Sequence, residues 1–226
     1  MLFRSGHLLR IIIMIIKRCP IIRTLLAKII ADCWVKCAVP DCWKRGSTIL
    51  IYKKGDQNNP SNFRPITIQP CWYKIFASLY RNRIFDHVCK NNYIDKSIQK
   101  GFWPGSDGVS EHTELLAHMI KDAKRHQRSL IIILLDLRNA FGEVHHELIR
   151  SALAYHHLPD QLVRLFNSIY CNSFVAVSTG CEWTSAIRVE KGVLQGDPCS
   201  PLLFNLCFNL LMMTLHKPEY QKLGGS

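Results

Sequence analysis

Acidic residues are scarce in this sequence relative to basic ones. Asp and Glu number 17 against 29 Lys and Arg, a formal net charge of +12 at pH 7 over 226 residues. A surplus that large suits a polyanionic partner, nucleic acid or an acidic membrane surface, and charge alone does not choose between them. No two aspartates are adjacent anywhere in the chain. No Cys-x-x-Cys pair occurs and no histidine lies near Cys33, Cys37 and Cys42, which removes the usual framework of a structural zinc site. No apolar run reaches the ~20 residues that a bilayer span needs. Leu8 to Ile16 is interrupted by Arg10 and followed by Lys17, Arg18 and Pro20, and no convincing small-residue cleavage site follows. An amphipathic or buried helix is the expectation there. Internal repeats and low-complexity segments are also missing.

What is present is enough for a core. Hydrophobic residues make up 48% and charged residues 20%, a balance that argues against a largely disordered chain. Ten cysteines stand at irregular intervals, several inside apolar runs, and read as reduced thiols of an intracellular protein rather than a disulfide framework. Helices are expected over 21–37, ended by Pro40, and over 72–89, with Ile75, Leu79, Phe85 and Val88 as its apolar recurrence. Further helices are expected over 110–125, 144–155, 159–170 and 202–215. Ser47 to Tyr52 is β-branched and apolar, and 173–178 with 184–189 forms a candidate hairpin around Gly180. Residues 58–62, 101–108 and 192–201 read as loops, and Gly224-Gly225-Ser226 as no strand. Leu130 to Leu135 is an unbroken apolar run ending at Asp136, and reads as a central strand buried on both faces. Helices between hairpin strands point to an α+β fold rather than a doubly wound sheet.

In-line phosphoryl transfer to a growing chain calls for carboxylates at strand ends, basic side chains for a triphosphate and two divalent ions ~3.5–4 Å apart. Five segments match that need in order: Pro40-Asp41-Cys42-Trp43-Lys44 through Lys53-Lys54-Gly55-Asp56; Asn62-Phe63-Arg64-Pro65-Ile66; Gln99-Lys100-Gly101-Phe102-Trp103-Pro104-Gly105; Leu135-Asp136-Leu137-Arg138-Asn139-Ala140-Phe141; and Lys191-Gly192-Val193-Leu194-Gln195-Gly196-Asp197-Pro198-Cys199-Ser200-Pro201. The last is highly specific; the others gain their weight from the order. Together they resemble the reverse transcriptase domain of non-LTR retrotransposons, with group II intron enzymes as more distant relatives, over about residues 21–215.

The resemblance implies a right-hand polymerase: fingers over 21–130, a partial palm with an incomplete antiparallel sheet over 131–226, and residues 1–20 unassigned. It implies an RNA template, a DNA primer, deoxynucleotides and two Mg2+ ions, in the nucleus or cytoplasm with no membrane partner. Asp136 is then the first catalytic carboxylate and binds both ions, with the carbonyl of Leu137 beside it. Phe141 takes the position under the incoming sugar where a ring clashes with a ribose 2′-OH. Gln195 and Gly196 lie against the nucleotide and the templating base, and Arg64 stacks on the base and meets its phosphates, a task suited to a planar guanidinium. Lys53 and Lys54 form a basic turn over the triphosphate. Phe102, Trp103 and Gly105 grip the template, and Arg81 and Arg83 contact backbone phosphates or form a wet helix face. His145-His146 and His156-His157 point apart on their helices and read as surface or core residues rather than a metal pair.

Two departures stand out. Gly142 follows Phe141 where the family usually has Asp, a change of packing rather than of metal ligation. More serious, the family's aromatic-x-Asp-Asp motif is missing from these 226 residues. One carboxylate holds two Mg2+ ions poorly, and each ~1.36 kcal/mol lost from transition-state stabilisation is tenfold in rate. The expectation is a fragment of an RNA-directed DNA polymerase with no robust activity alone. The alternatives are a non-catalytic nucleic-acid-binding module and a non-functional relic.

Overall fold

The structure, a computed structural model, describes residues 5–215, with side chains from residue 11 onward; the expectation for residues 224–226 lies outside this range. Helix α1 (Ser5–Arg18) is followed directly by α2 (Pro20–Lys36). Pro20 opens α2 because its preset φ suits the first helical position, where an N–H is not needed. Cys37, left-handed at φ 50°, turns the chain out, and Pro40 lies beyond. A 3-10 turn (Asp41–Lys44) leads into β1 (Arg45–Tyr52).

Strand β2 (Phe63–Ile68) pairs antiparallel with β1. It contains Pro65, which cannot donate to a ladder, and this is why its motif did not read as a strand. Thr67, two residues on, turns its N–H away from β1 to the carbonyl of Gln195, 2.7 Å away. The Pro65 nitrogen is in phase with it and also faces outward, so no β1–β2 bond is lost. Inside the pair, the hydroxyls of Thr48 and Thr67 meet at 2.9 Å, both buried.

Next come α3 (Cys71–Lys90), α4 (Gly108–Arg125), the short α5 (Ala140–Glu143), α6 (His146–Tyr155), α7 (Asp160–Tyr170), β3 (Phe174–Val177), β4 (Ile187–Arg188) and α8 (Ser200–Leu215). The strand order is β2-β1-β3-β4. β3 and β4 form the expected hairpin, extended by a bridge from Ser178 to Trp183. The sheet is mixed rather than antiparallel, because β1 and β3 run parallel across a long helical crossover. An α+β organisation stands.

Helix α3 is the centre of the core and packs with residues of α6, α7 and α8. Its buried side is Tyr73, Phe76, Ala77, Tyr80, Ile84 and Val88, whereas Leu79, expected in the apolar stripe, is 41% exposed. The tyrosines displace it because their hydroxyls find acceptors: Tyr80 donates to the carbonyl of Leu162 at 2.8 Å and Tyr73 to Asp197. Each large apolar side chain fully buried here stabilises the fold by roughly 1.5–3 kcal/mol.

The apolar run before Asp136 is the main correction. Residues 130–135 form no strand, and Ile131, Ile133, Leu134 and Leu135 are 76–86% exposed. A buried central strand needs a ladder neighbour and a covering layer. Among the described residues, none of the four strands runs beside this segment. Helix α4, which precedes it, buries none of its side chains and is tied back by Lys100 to Glu111.

Candidate active site

Three parts of the chain enclose a cleft of about 1430 Å³: the β1–β2 hairpin, residues 136–143 and the Gln195-Gly196 turn, with Phe102 at one wall. Lys53 closes β1, its N–H donating to the carbonyl of Asn62 at 2.8 Å. The turn beyond it is built by Gly55 at φ +98° and by Asn62, whose amide donates to the carbonyl of Asp56 at 2.8 Å. Arg64 sits opposite Ile51 in the ladder and reaches the same cleft.

The Gln195-Gly196 turn is docked on the free edge of β2. Besides the Thr67 bond, Gly196 has φ +115°, and a Cβ there would lie 2.5 Å from the carbonyl oxygen of Thr67. Only glycine allows this approach. The turn is held from behind by Asp197, which is buried, accepts the hydroxyl of Tyr73 and accepts the N–H of Cys199 at 2.7 Å, just ahead of α8. Burial pushes the Asp197 carboxyl above its ordinary range, and its hydrogen bonds, chiefly from Tyr73, only partly offset this. The same burial drives the Tyr73 hydroxyl well up. Sequence reasoning assigned Asp197 no role. The signal was available in an Asp three residues before a Ser-Pro that opens an apolar helix.

Asp136 lines the cleft from the end of the apolar run. Its carboxylate is exposed and, among the described residues, has no ion-pair partner. Leu137 is beside it. Phe141 is half-buried on α5, with its carbonyl accepting the N–H of Val193 at 2.7 Å. The carbonyl of Val144 accepts Gly192 N–H at 2.7 Å, so the two segments are strapped together. At Gly142 an added Cβ would press on the side chain of Asn139, and the backbone of Gly142 lies 2.7–2.9 Å from where a Cβ of Gly192 would be. Packing is therefore tight around Gly142.

A family model described as reverse transcriptase (RNA-dependent DNA polymerase) matches residues 51–221. The chain belongs to the reverse transcriptase family. It is similar to the retrovirus-related Pol polyprotein from type-1 retrotransposable element R2 of Nasonia vitripennis, 36% identical over 171 residues, 74% of this chain and 16% of the relative. The corresponding R2 polyprotein of Popillia japonica is 31% identical over 178 residues, 78% of this chain and 24% of the relative. That of the type-2 element R2DM of Drosophila melanogaster is 28% identical over 189 residues, 83% and 17%. The chain thus spans about a sixth to a quarter of the length of these relatives, 16–24%. It is a reverse transcriptase domain, in part, of the non-LTR retrotransposon kind.

In this reverse transcriptase domain the cleft gathers Lys53, Arg64, Phe102, Asp136, Leu137, Phe141, Gln195 and Gly196. Five other residues singled out from the sequence lie elsewhere. Lys54 is exposed on the turn and does not line the cleft. Trp103 is buried against Phe85, ring centroids 5.0 Å apart, with Lys96 Nζ 4.9 Å from its ring, and offers a template strand no free face. Gly105, at φ +76°, faces open space. Arg83 lies 4.7 Å over the ring of Trp34, and Arg81 donates to the side-chain carbonyl of Asn82, both outside the cleft. The histidines are structural or exposed: His146 meets the carbonyl of Gly192 at 2.9 Å, and His156 is buried between Ala152 and Asn209.

Magnesium takes oxygen ligands in a near-octahedral shell and commonly keeps one or two carboxylates plus substrate phosphates. Asp136 brings carboxylate oxygens of that kind to the cleft, with Leu137 next to it in its lining. Glu143 also reaches the cleft, but Lys191 Nζ holds it at 2.6 Å and, with Asn139, keeps its carboxyl below the usual range. Among the described residues no three metal-ligating side chains converge. The donors among the described residues therefore do not fit a two-ion centre by themselves. All ten cysteines are free thiols. No helix among the described residues is long and apolar enough to cross a membrane.

Proposed function

We propose that this chain is the nucleotide-facing part of an RNA-directed DNA polymerase of a non-LTR retrotransposon, fingers over 21–130 and the first part of the palm over 131–226. The observation that carries the reading is the cleft: four distant stretches of sequence meet so that cations (Lys53, Arg64, Arg138), carboxylates (Asp136 and the Lys191-held Glu143), rings (Phe102, Phe141) and a glycine turn (Gln195-Gly196) face one space. That set suits a deoxynucleoside triphosphate, with cations for its phosphates, a ring for its sugar and a close backbone for its base. Asp136 is the Mg2+ ligand the chain contributes. RNA template and DNA primer are the polymer partners, and the nucleus or cytoplasm is the setting.

With Asp136 as the one cleft carboxylate not held by a lysine, the chain alone binds nucleotide without extending a primer efficiently. Arg64→Ala should weaken binding of deoxynucleoside triphosphates to this chain by roughly tenfold or more, the loss of one charge-assisted contact of ~1.5–3 kcal/mol. Calorimetric titration in Mg2+ measures it, and equal affinity of parent and variant would sink the nucleotide reading. A second reading, a nucleic-acid-binding module without catalysis, is favoured by the +12 charge and by the lack, among the described residues, of three converging metal-ligating side chains.

A further inference from the structure

Phe102 stands apart from its neighbours in the chain. It is 65% exposed and holds a left-handed backbone at φ +61°, although its neighbours are fixed on both sides. Before it, the carbonyl of Gly101 accepts the side-chain amide of Asn205 at 2.7 Å, and Gln99 donates to the Asn205 carbonyl at 3.0 Å, with Asn205 and Gln99 both buried. After it, Trp103 is sunk in the core. A bulky residue at positive φ is strained, and such strain persists only where the surroundings over-determine it. Here it turns a large ring out of the core and into the cleft. The ring stands 6.1 Å from Phe141, which stands 5.1 Å from Phe204, and Phe204 stacks at 6.0 Å on Phe208. Phe102 is the outermost of four rings and the one with an open face.

We infer that Phe102 is a nucleotide-contacting specificity residue, forming with Phe141 a two-ring wall for the incoming sugar and base, and that Asn205 on α8 is the positioning residue that holds it there. This rests on the nucleotide reading of the cleft. It moves Phe102 from the template to the nucleotide. A single ring at Phe141 can swing or tilt when a ribose hydroxyl presses on it; a second ring at 6.1 Å limits that movement. The chemistry recognised is a 2′-deoxynucleoside triphosphate over its ribonucleoside counterpart. Asn205 acts at a distance, because without its amide Gly101 loses its bond and the left-handed turn at Phe102 loses its support.

The test uses the whole chain in Mg2+, titrated calorimetrically with dATP and with ATP. Phe102→Ala should bind dATP roughly two- to tenfold more weakly, the range of one aromatic contact, and should narrow the dATP-over-ATP preference. Phe102→Tyr, which keeps the ring, should restore both. Asn205→Ala should narrow the preference in the same direction, with a thermal melt run beside it to show that the chain stays folded. If Phe102→Ala matches the parent for both nucleotides while Arg64→Ala loses dATP, the inference about Phe102 is overturned and the cleft reading survives. If Phe102→Ala instead weakens only a labelled RNA–DNA hybrid, Phe102 returns to the template and the inference is again overturned. If the parent binds neither nucleotide, the cleft reading itself falls and this inference with it.

Discussion

At the residue scale, Asp197 shows how an unassigned side chain can hold a site together. It is buried, it carries the Tyr73 hydroxyl and the Cys199 N–H, and the turn it anchors lies against β2. Its carboxyl is raised, with burial as the largest cause. A raised carboxyl binds its proton more tightly in the folded state, so its contribution to stability is fully present below the unfolded value of about 3.9 and is lost as pH rises through the folded value. Asp197→Asn removes this dependence while leaving an acceptor for Tyr73. Denaturant melts of parent and variant should therefore move in the parent's favour as pH falls from 7 toward the ordinary carboxylate range, and a gap that stays constant with pH would contradict the assignment. Asp136, by contrast, was legible from its place after an apolar run in a recognisable motif. Asp197 stood in an equally specific motif, but nothing local announces that Tyr73, more than a hundred residues earlier, will cover it.

At the element scale, the Gln195-Gly196 turn and strand β2 depend on each other. β2 exists with a proline inside it because its outer edge needs no donor at Pro65 and uses one at Thr67. Gly196→Ala should cost about 1–2 kcal/mol for the left-handed backbone, and more again for the collision with the Thr67 carbonyl. Gly180→Ala supplies the comparison, since Gly180 also has positive φ (+99°) but nothing within 4 Å of an added Cβ. Chemical denaturation should place Gly196→Ala clearly below Gly180→Ala; equal losses would mean that the turn does not press on β2. The helices and β1 were readable because their periodicity and caps are local. β2 was not, because its Pro and its short apolar stretch make sense only at a sheet edge.

At the scale of the whole molecule, residues 130–135 present a nearly continuous apolar segment to solvent, beside a surface carrying +12 overall. An uncovered apolar segment able to take up ladder pairing favours association between copies. Sedimentation velocity over a concentration series should show self-association of the parent chain that Ile131→Lys with Ile133→Lys reduces, without lowering the thermal transition, because both side chains are already exposed. Unchanged association in that double variant would place the contact elsewhere.

Taken by itself, the order of residues determined the family, the positions of most helices, β1 and the β3–β4 hairpin, and the identity of the motif residues, since each depends on neighbours close in sequence. Only the tertiary structure decided that β1 lies parallel to β3, that Leu79 faces out and the tyrosines of α3 face in, that Trp103 is core while Phe102 is cleft, and that the run before Asp136 has no strand beside it. Each of those outcomes turns on partners far apart in the chain, such as β1 with β3 or Asn205 with Gly101, and on which surface finds a covering layer or a hydrogen-bond acceptor, quantities that local hydrophobicity does not carry.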